Sequence, residues 1–277
     1  MSARRRLGRA SFAGLVGLVV AYSLGPYAWT LVTSLKTERE LYRFPVTYLP
    51  QAPTLINYVH VFSGNPFGRF LLNSCIVALT STVECVFLAV LASYAFARLR
   101  FPGHRVLFLA ILIVAMIPLI TVIVPLYVLV RGLGLLNTYA GLIGPYITWS
   151  LPVAIFILTA FFREIPRDLE EAAAIDGCSR VGALFRIIAP LAAPGLATAG
   201  IIVFVNTWNE FLVALTLTSS TEMRTITVGI ALFRGEFTFP WGVISAAVLL
   251  ATVPVVVLIL LGQRLVVRGL TAGAVKG

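Results

Sequence analysis

Six apolar runs of membrane-crossing length set the terms for any fold this chain can adopt. They cover roughly residues 12–34, 71–97, 106–130, 139–162, 194–216 and 242–263. About 20 apolar residues in helical form cross the hydrocarbon layer. Inside that layer every backbone N–H and C=O must be satisfied within the protein, so only helices and closed barrels span it. The runs are continuous rather than alternating, which selects helices. Composition agrees: 59% of the 277 residues are hydrophobic and 12% are charged, against about 25% charged in an ordinary soluble domain. The expected fold is an all-α membrane protein with six transmembrane helices. The first run follows "RRRLGR" and resembles the start of a secretory signal. It is too long for a signal core and lacks a small-residue cleavage site, so it reads as a retained span.

The net charge of +10 raises the question of nucleic acid, and topology answers it. Basic residues concentrate in loops on the cytoplasmic side of a membrane protein. With the N-terminus inside, the inner segments hold 14 of the 21 Lys and Arg and the outer ones hold 7. Both termini are therefore expected in the cytoplasm, and the basic balance needs no nucleic-acid partner. The longest outer segment, about 36–69, contains "YRFPVTYLPQAPTLINY" and is expected to form an ordered surface loop.

The same topology leaves "DLEEAAAIDGCSRVGALFRIIAP" (168–190) in the cytoplasm between spans four and five. Pro166 suits the entry to a helix, and Asp168, Glu170 and Glu171 place negative charge near the positive end of its dipole. Gly177 can close that helix in a left-handed cap and Ser179 can cap the next. Val181, Leu184, Phe185 and Ile188 recur with helical spacing and predict a face that packs on the spans. Pro190 and Pro194 break the chain before the fifth span. Ala173 and Gly177, four apart, predict a small-residue face open to close approach by a partner, edged by acids. On physical grounds alone a surface helix with no partner remains the alternative.

The segment resembles the EAA loop of bacterial ABC importer permeases: EAA, three residues, Gly, nine residues, Ile, any residue, Leu, Pro. Here Glu171, Ala172, Ala173, Gly177, Ile187 and Pro190 match in register, and Ala189 stands where the family has Leu. "SYAFARLRFPG" (93–103), "VNTWNEFLVALTLTS" (205–219) and the tail "RGLTAGAVKG" (268–277) extend the likeness over most of the chain. They resemble the carbohydrate-uptake branch, and within it the shorter of two membrane subunits in maltose-type and glycerol-phosphate-type importers. The resemblance implies a cytoplasmic N-terminal segment (1–11), a transmembrane permease domain (12–266) with a coupling loop (163–193), and a cytoplasmic tail (267–277). It implies a coupling helix in which Glu170, Glu171, Ala172, Ala173, Asp176 and Gly177 meet an ATPase subunit. It implies further partners: a second permease subunit, two ATPase copies and an extracytoplasmic solute-binding protein. The setting would be the bacterial inner membrane, crossed several times. The solute would be a sugar or sugar derivative, or in the same architecture a polyol or glycerol phosphate.

The chain brings no chemistry of its own to such a cycle. A phosphate-binding P-loop needs a lysine after glycine and before Ser or Thr, and the only lysines, Lys36 and Lys276, stand in "SLKTE" and "AVKG". ATP and Mg are therefore assigned to the partner ATPase. His60 and His104 fall in loops on opposite sides of the membrane, and Cys75, Cys85 and Cys178 have no metal-ligand spacing. The chain is expected to be no enzyme and to hold no metal.

Polar groups within the spans remain. An acid at a helix centre costs at least about 2.5–3.5 kcal/mol, so each marks a candidate function. Asn73, Thr80 and Glu84 form one polar stripe; Asn206, Asn209 and Glu210 form another. Both fit a water-filled solute path, and both equally fit hydrogen bonding between helices. Pro118, Pro125, Pro145, Pro152 and Pro254 interrupt spans, as in helices that line a cavity. In "LIGPYITWSLP" (142–152), Tyr146 and Trp149 offer ring faces to a sugar or form an interfacial belt. An ion-coupled carrier relaying protons through Glu84 and Glu210 is the reading from a different class.

Overall fold

The computed structural model describes the backbone of residues 3–233 and 239–272, and the side chains of 12–233 and 239–263. Residues 273–277 of the expected tail, and the side chains of Arg4, Arg5, Arg6, Arg9, Arg234, Arg264, Arg268 and Lys276, lie outside those bounds. Every regular element among the described residues is helical. The helices are α1 (Ala3–Ser34), α2 (Glu38–Leu41), α3 (Ile56–Ser63), α4 (Phe67–Arg98), α5 (His104–Val114), α6 (Leu119–Gly132) and α7 (Tyr139–Glu164). Then come α8 (Asp168–Ile175), α9 (Arg180–Ala183), a π turn (Leu184–Ile188), α10 (Ala189–Leu191), α11 (Ala193–Asn209), α12 (Leu212–Leu217), α13 (Ile226–Ala231) and α14 (Trp241–Ala272).

Among the described residues four helices are long and apolar enough to cross a membrane, α1, α4, α7 and α14, and two bent helix pairs would bring the number of spans to six if each counts as one. The third apolar run is divided. α5 and α6 meet at 92°, and the break falls at Pro118, whose extended backbone (φ −61°, ψ 128°) caps α6. Pro118 favours a break here, because it lacks an N–H and its ring crowds the preceding turn. Pro125, Pro145, Pro152 and Pro254 instead sit inside continuous helices. The fifth run is also shorter than its hydropathy predicts, since α11 stops at Asn209 and Glu210 is extended (φ −67°, ψ 135°). The Arg180–Leu191 segment meets α11 at 81°, with Pro194 in the first turn of α11.

The chain forms two compact units, residues 1–67 with 230–252, and 68–229 with 253–277. In the first, the segment after α1 is ordered by polar contacts. Thr37 caps α2, and the Asn57 amide donates to the carbonyls of Ser34 and Lys36, each at 2.8 Å. Lys36 is 2% exposed; its ammonium donates to the Thr47 carbonyl and lies 5.1 Å from the Trp29 ring centroid. The Glu40 carboxylate accepts from Thr47 Oγ1 (2.8 Å) and the Gln51 N–H (2.9 Å). These bonds close the turn between 37 and 51.

In the second unit α11 packs along α7. Gly195 makes that approach possible: a Cβ there would stand 2.5 Å from the Phe161 ring. The core between α4, α7 and the elbow includes Cys85, Val90, Phe162, Leu184, Ile188 and Val203.

Candidate functional site

Two places in the second unit gather the polar residues that the sequence singled out. The first is the elbow from α7 to α11. α8 ends where expected: Gly177 has φ +79°, and its N–H bonds the Ala174 carbonyl at 3.1 Å. Ser179 caps α9 by accepting from the Gly182 N–H at 3.1 Å. Both signals are local, so the sequence carried them. The apolar stripe beyond is split. Leu184 and Ile188 are buried, whereas Val181 is exposed and Phe185 stacks on Phe87 with centroids 6.2 Å apart. The π turn over Leu184–Ile188 takes more residues per turn and rotates the stripe out of its 3.6-residue period.

The acids of α8 divide in the same way. Glu170 turns inward. Its carboxylate pairs with Arg98 Nε at 2.5 Å and accepts from the Tyr94 hydroxyl at 2.9 Å. Arg98 also donates to the Ile165 carbonyl at 2.7 Å. One ion pair therefore ties α8 to the last turn of α4 and the end of α7. Glu171, Ala172, Asp176 and Gly177 are exposed, as is Ile175 at 86%. Two expectations are corrected. Ala173 is buried and shares no open face with Gly177. Glu170 is spent on holding α8 to its own chain. A cleft of about 280 Å³ lies beside this clamp, lined by Arg98, Arg167, Glu170, Glu171 and Arg180 among others.

The second place is the break after α11. Glu210 accepts from the Val213 N–H at 2.9 Å and the Ala214 N–H at 3.1 Å, so its carboxylate caps α12. The buried Tyr146 hydroxyl donates to the same group at 2.8 Å. The Glu210 carbonyl accepts from Thr227 Oγ1 at 2.8 Å. Tyr146, Trp149, Ser150, Asn206, Thr207 and Glu210 are among the residues lining a cleft of about 180 Å³ beside the α5–α6 break. Ring faces next to hydroxyl, amide and carboxylate groups suit a polyhydroxylated solute. Asn206 is exposed toward this space and Trp149 is half-buried. Asn209 is exposed, but its amide bonds back to the Val205 carbonyl at 2.9 Å and it does not line the cleft.

Asn73 and Glu84 part company. Asn73 is 0% exposed; its amide donates to the carbonyls of Glu222 (2.7 Å) and Arg224 (2.9 Å) and accepts from the Tyr139 hydroxyl (2.8 Å). It staples the segment before α13 to α4 and α7, and the expectation that it lines a path is corrected. Glu84 is exposed, among exposed Val83, Phe87 and Leu88 on α4. The described residues contain no cluster of His, Cys, Asp and Glu able to hold a metal.

Residues 86–271 match the family of inner-membrane components of binding-protein-dependent transport systems, and the chain belongs to that family. It is 51% identical over 260 residues to the sulfoquinovosyl glycerol transport system permease protein of Agrobacterium fabrum, covering 94% of this chain and 91% of the relative. It is 45% identical over 268 residues to the trehalose transport system permease protein of Mycobacterium tuberculosis, covering 96% and 97%. Among solved structures it superposes on a bacterial ABC transporter involved in alginate import with a TM-score of 0.81, at 22% identity and over 95% of this chain and 98% of the other. The protein is thus a membrane-embedded permease subunit of an ABC importer in the inner membrane, with ATP hydrolysis in a separate subunit. The ion-coupled carrier is set aside by this kinship.

Proposed function

We propose that this chain is one of two permease subunits in an importer for a sugar or sugar derivative. The observation that carries the proposal is the exposed edge of α8, Glu171 to Gly177, held at one end by the Glu170–Arg98 pair. The family match and relatives named for sugar conjugates and disaccharides support it. Six spans are assigned, with α5 and α6 as one bent span and both termini cytoplasmic, in line with the 14 to 7 distribution of basic residues. Residues 1–11 form the inner N-terminal segment, 12–266 the permease domain with its coupling loop at 163–193, and 267–277 the tail.

On this reading α8 is the coupling helix. Glu171, Ala172, Ile175, Asp176 and Gly177 enter a cleft on an ATPase subunit, of which two copies serve the permease pair. ATP and Mg bind there. An external binding protein delivers solute to the outer face, and ATPase closure moves α8 and switches the path. Trp149, Asn206 and Glu210 lie along that path. Glu84, whose carboxylate sits at mid-length of α4, faces the path or the second permease, since lipid gives a charge no partner.

The test is purification of the tagged chain with its co-expressed neighbours, followed by transport in proteoliposomes. An ATPase and a second permease should accompany the wild type, and Ile175→Asp should release the ATPase while retaining the permease. A chain that purifies alone and moves solute without ATP overturns the proposal.

A further inference from the structure

The ends of α4 and α7 and the start of α5 line a third, open cleft, of about 590 Å³. Arg100, His104, Arg105, Arg163 and Arg167 are five of its ten lining residues, and no carboxylate is among them. The arginines are exposed and His104 is half-buried. The wall behind them is aromatic: Phe96 packs on Phe101 (5.9 Å) and Phe108 (5.2 Å), and the Arg163 guanidinium lies 5.9 Å from the Phe108 ring centroid. The neighbouring Arg98 is already neutralised by Glu170. Arg100, Arg105, Arg163 and Arg167 have no carboxylate partner among the described residues. Four like charges so placed repel one another, and an anion in the cleft relieves that repulsion.

We infer that this cleft binds the phosphate headgroup of an anionic phospholipid. Two features favour a lipid over other phosphate-bearing molecules. The cleft lies where the apolar helices α4 and α7 end and α5 begins. α5 begins at the cleft with His104 and Arg105 and continues in apolar, exposed residues, with Val106, Leu107, Leu109 and Ile113 each at least half exposed. Those residues offer an acyl chain a surface contiguous with the charged cleft. Guanidinium groups take phosphate oxygens in pairs, and basic pockets between helix ends at the inner surface suit such headgroups. The site rests on the proposed inner-facing topology, and Arg163 and Arg167 fall at the start of the proposed coupling loop, but its lining shares no residue with the exposed edge of α8, Glu171 to Gly177, assigned to the ATPase.

The experiment uses the complex as purified, incorporated into vesicles of phosphatidylcholine mixed with phosphatidylglycerol, re-extracted, and read by mass spectrometry of retained lipid. Wild type should retain phosphatidylglycerol in preference to phosphatidylcholine. Each arginine changed to glutamine among Arg100, Arg105 and Arg163 should weaken that preference about fivefold. Replacement of the same three by lysine should keep most of it, and rising salt should lower it in the wild type without any substitution. Inorganic phosphate should fail to displace the lipid, because the acyl contact is part of the site. Equal retention of the two lipids by wild type overturns the inference. So does release of an ATPase subunit by the glutamine variants with lipid preference unchanged, which would make the cleft a protein contact. Displacement by free phosphate would overturn the lipid assignment as well. Failure of the importer proposal would show as lost ATP-dependent transport and would leave this lipid readout intact.

Discussion

The clamp between Glu170 and Arg98 makes single residues in the elbow unequal. Arg98 is bound to a carboxylate and to a carbonyl, and its side chain is only 6% exposed. Arg98→Gln should lower stability by about 3 kcal/mol, since it leaves Glu170 without its counter-charge. Adding Glu170→Gln should recover much of that loss, and a double-mutant cycle on the thermal midpoint in detergent measures the coupling. Transport per ATP hydrolysed should fall in both single variants even where the ATPase still copurifies. Glu210→Ala should cost about 1 kcal/mol through loss of the α12 cap, with a further loss from the stranded Tyr146 hydroxyl. The check is transport together with the thermal midpoint, and Glu210→Asp should be no full rescue, because the shorter side chain cannot reach both α12 and Tyr146. The two neighbouring glutamates show where sequence reading runs out. Glu170 and Glu171 have the same chemistry and adjacent positions, and only the tertiary location of Arg98 separates the inward one from the outward one. Asn73 resisted for the same reason: its partners, Glu222 and Arg224, lie about 150 residues along the chain.

At the scale of elements, legibility follows the range of the interaction. The caps at Gly177 and Ser179 and the break at Pro118 rest on neighbours within a few residues, and all three were readable. The stop after α11 was hidden. No proline or glycine marks it, and it depends on Glu210 reaching Val213, Ala214 and a tyrosine 64 residues away. The π turn at Leu184–Ile188 likewise carries no composition signal. Helix contact gives a sharp test. Gly195→Leu should force the Phe161 ring out of place and cost about 1–3 kcal/mol, seen as a lower thermal midpoint, while Gly144→Ala, which sits inside α7 and meets nothing within 4 Å, should raise it slightly through helix propensity. The turn between 37 and 51 should respond to acid. The Gln51 N–H is the largest cause holding the Glu40 carboxyl below its ordinary value of 4.5; loss of solvent opposes it next, and Thr47, Lys36 and Arg43 add smaller lowering effects. A depressed folded value stabilises the turn above pH 4.5 and releases it as pH falls below, so proteolysis within 37–51 should accelerate there and Glu40→Gln should abolish the pH dependence.

At the scale of the whole molecule, hydropathy pointed to the helical class, and a matched loop pointed to the kinship. It could not show how few of the helices are enclosed. None of the span window of α1 is buried within the chain, against 44% for α7. The expected consequence is that the isolated chain aggregates in detergent and is rescued by co-expression with a second permease, read by size-exclusion profile. α8 is fastened in its first turn by Glu170 and is free at its other end, at Ile175 and Gly177. Eight residues of helix make a rod of about 12 Å. A push on the free end acts on the fastened end as a lever acts on its fulcrum. Arg98 grips both Glu170 and the Ile165 carbonyl, so the resulting torque reaches α4 and α7 together. In the proposed importer the stroke would be set by the length of one short helix, and stiffness at one ion pair would decide how much of it arrives.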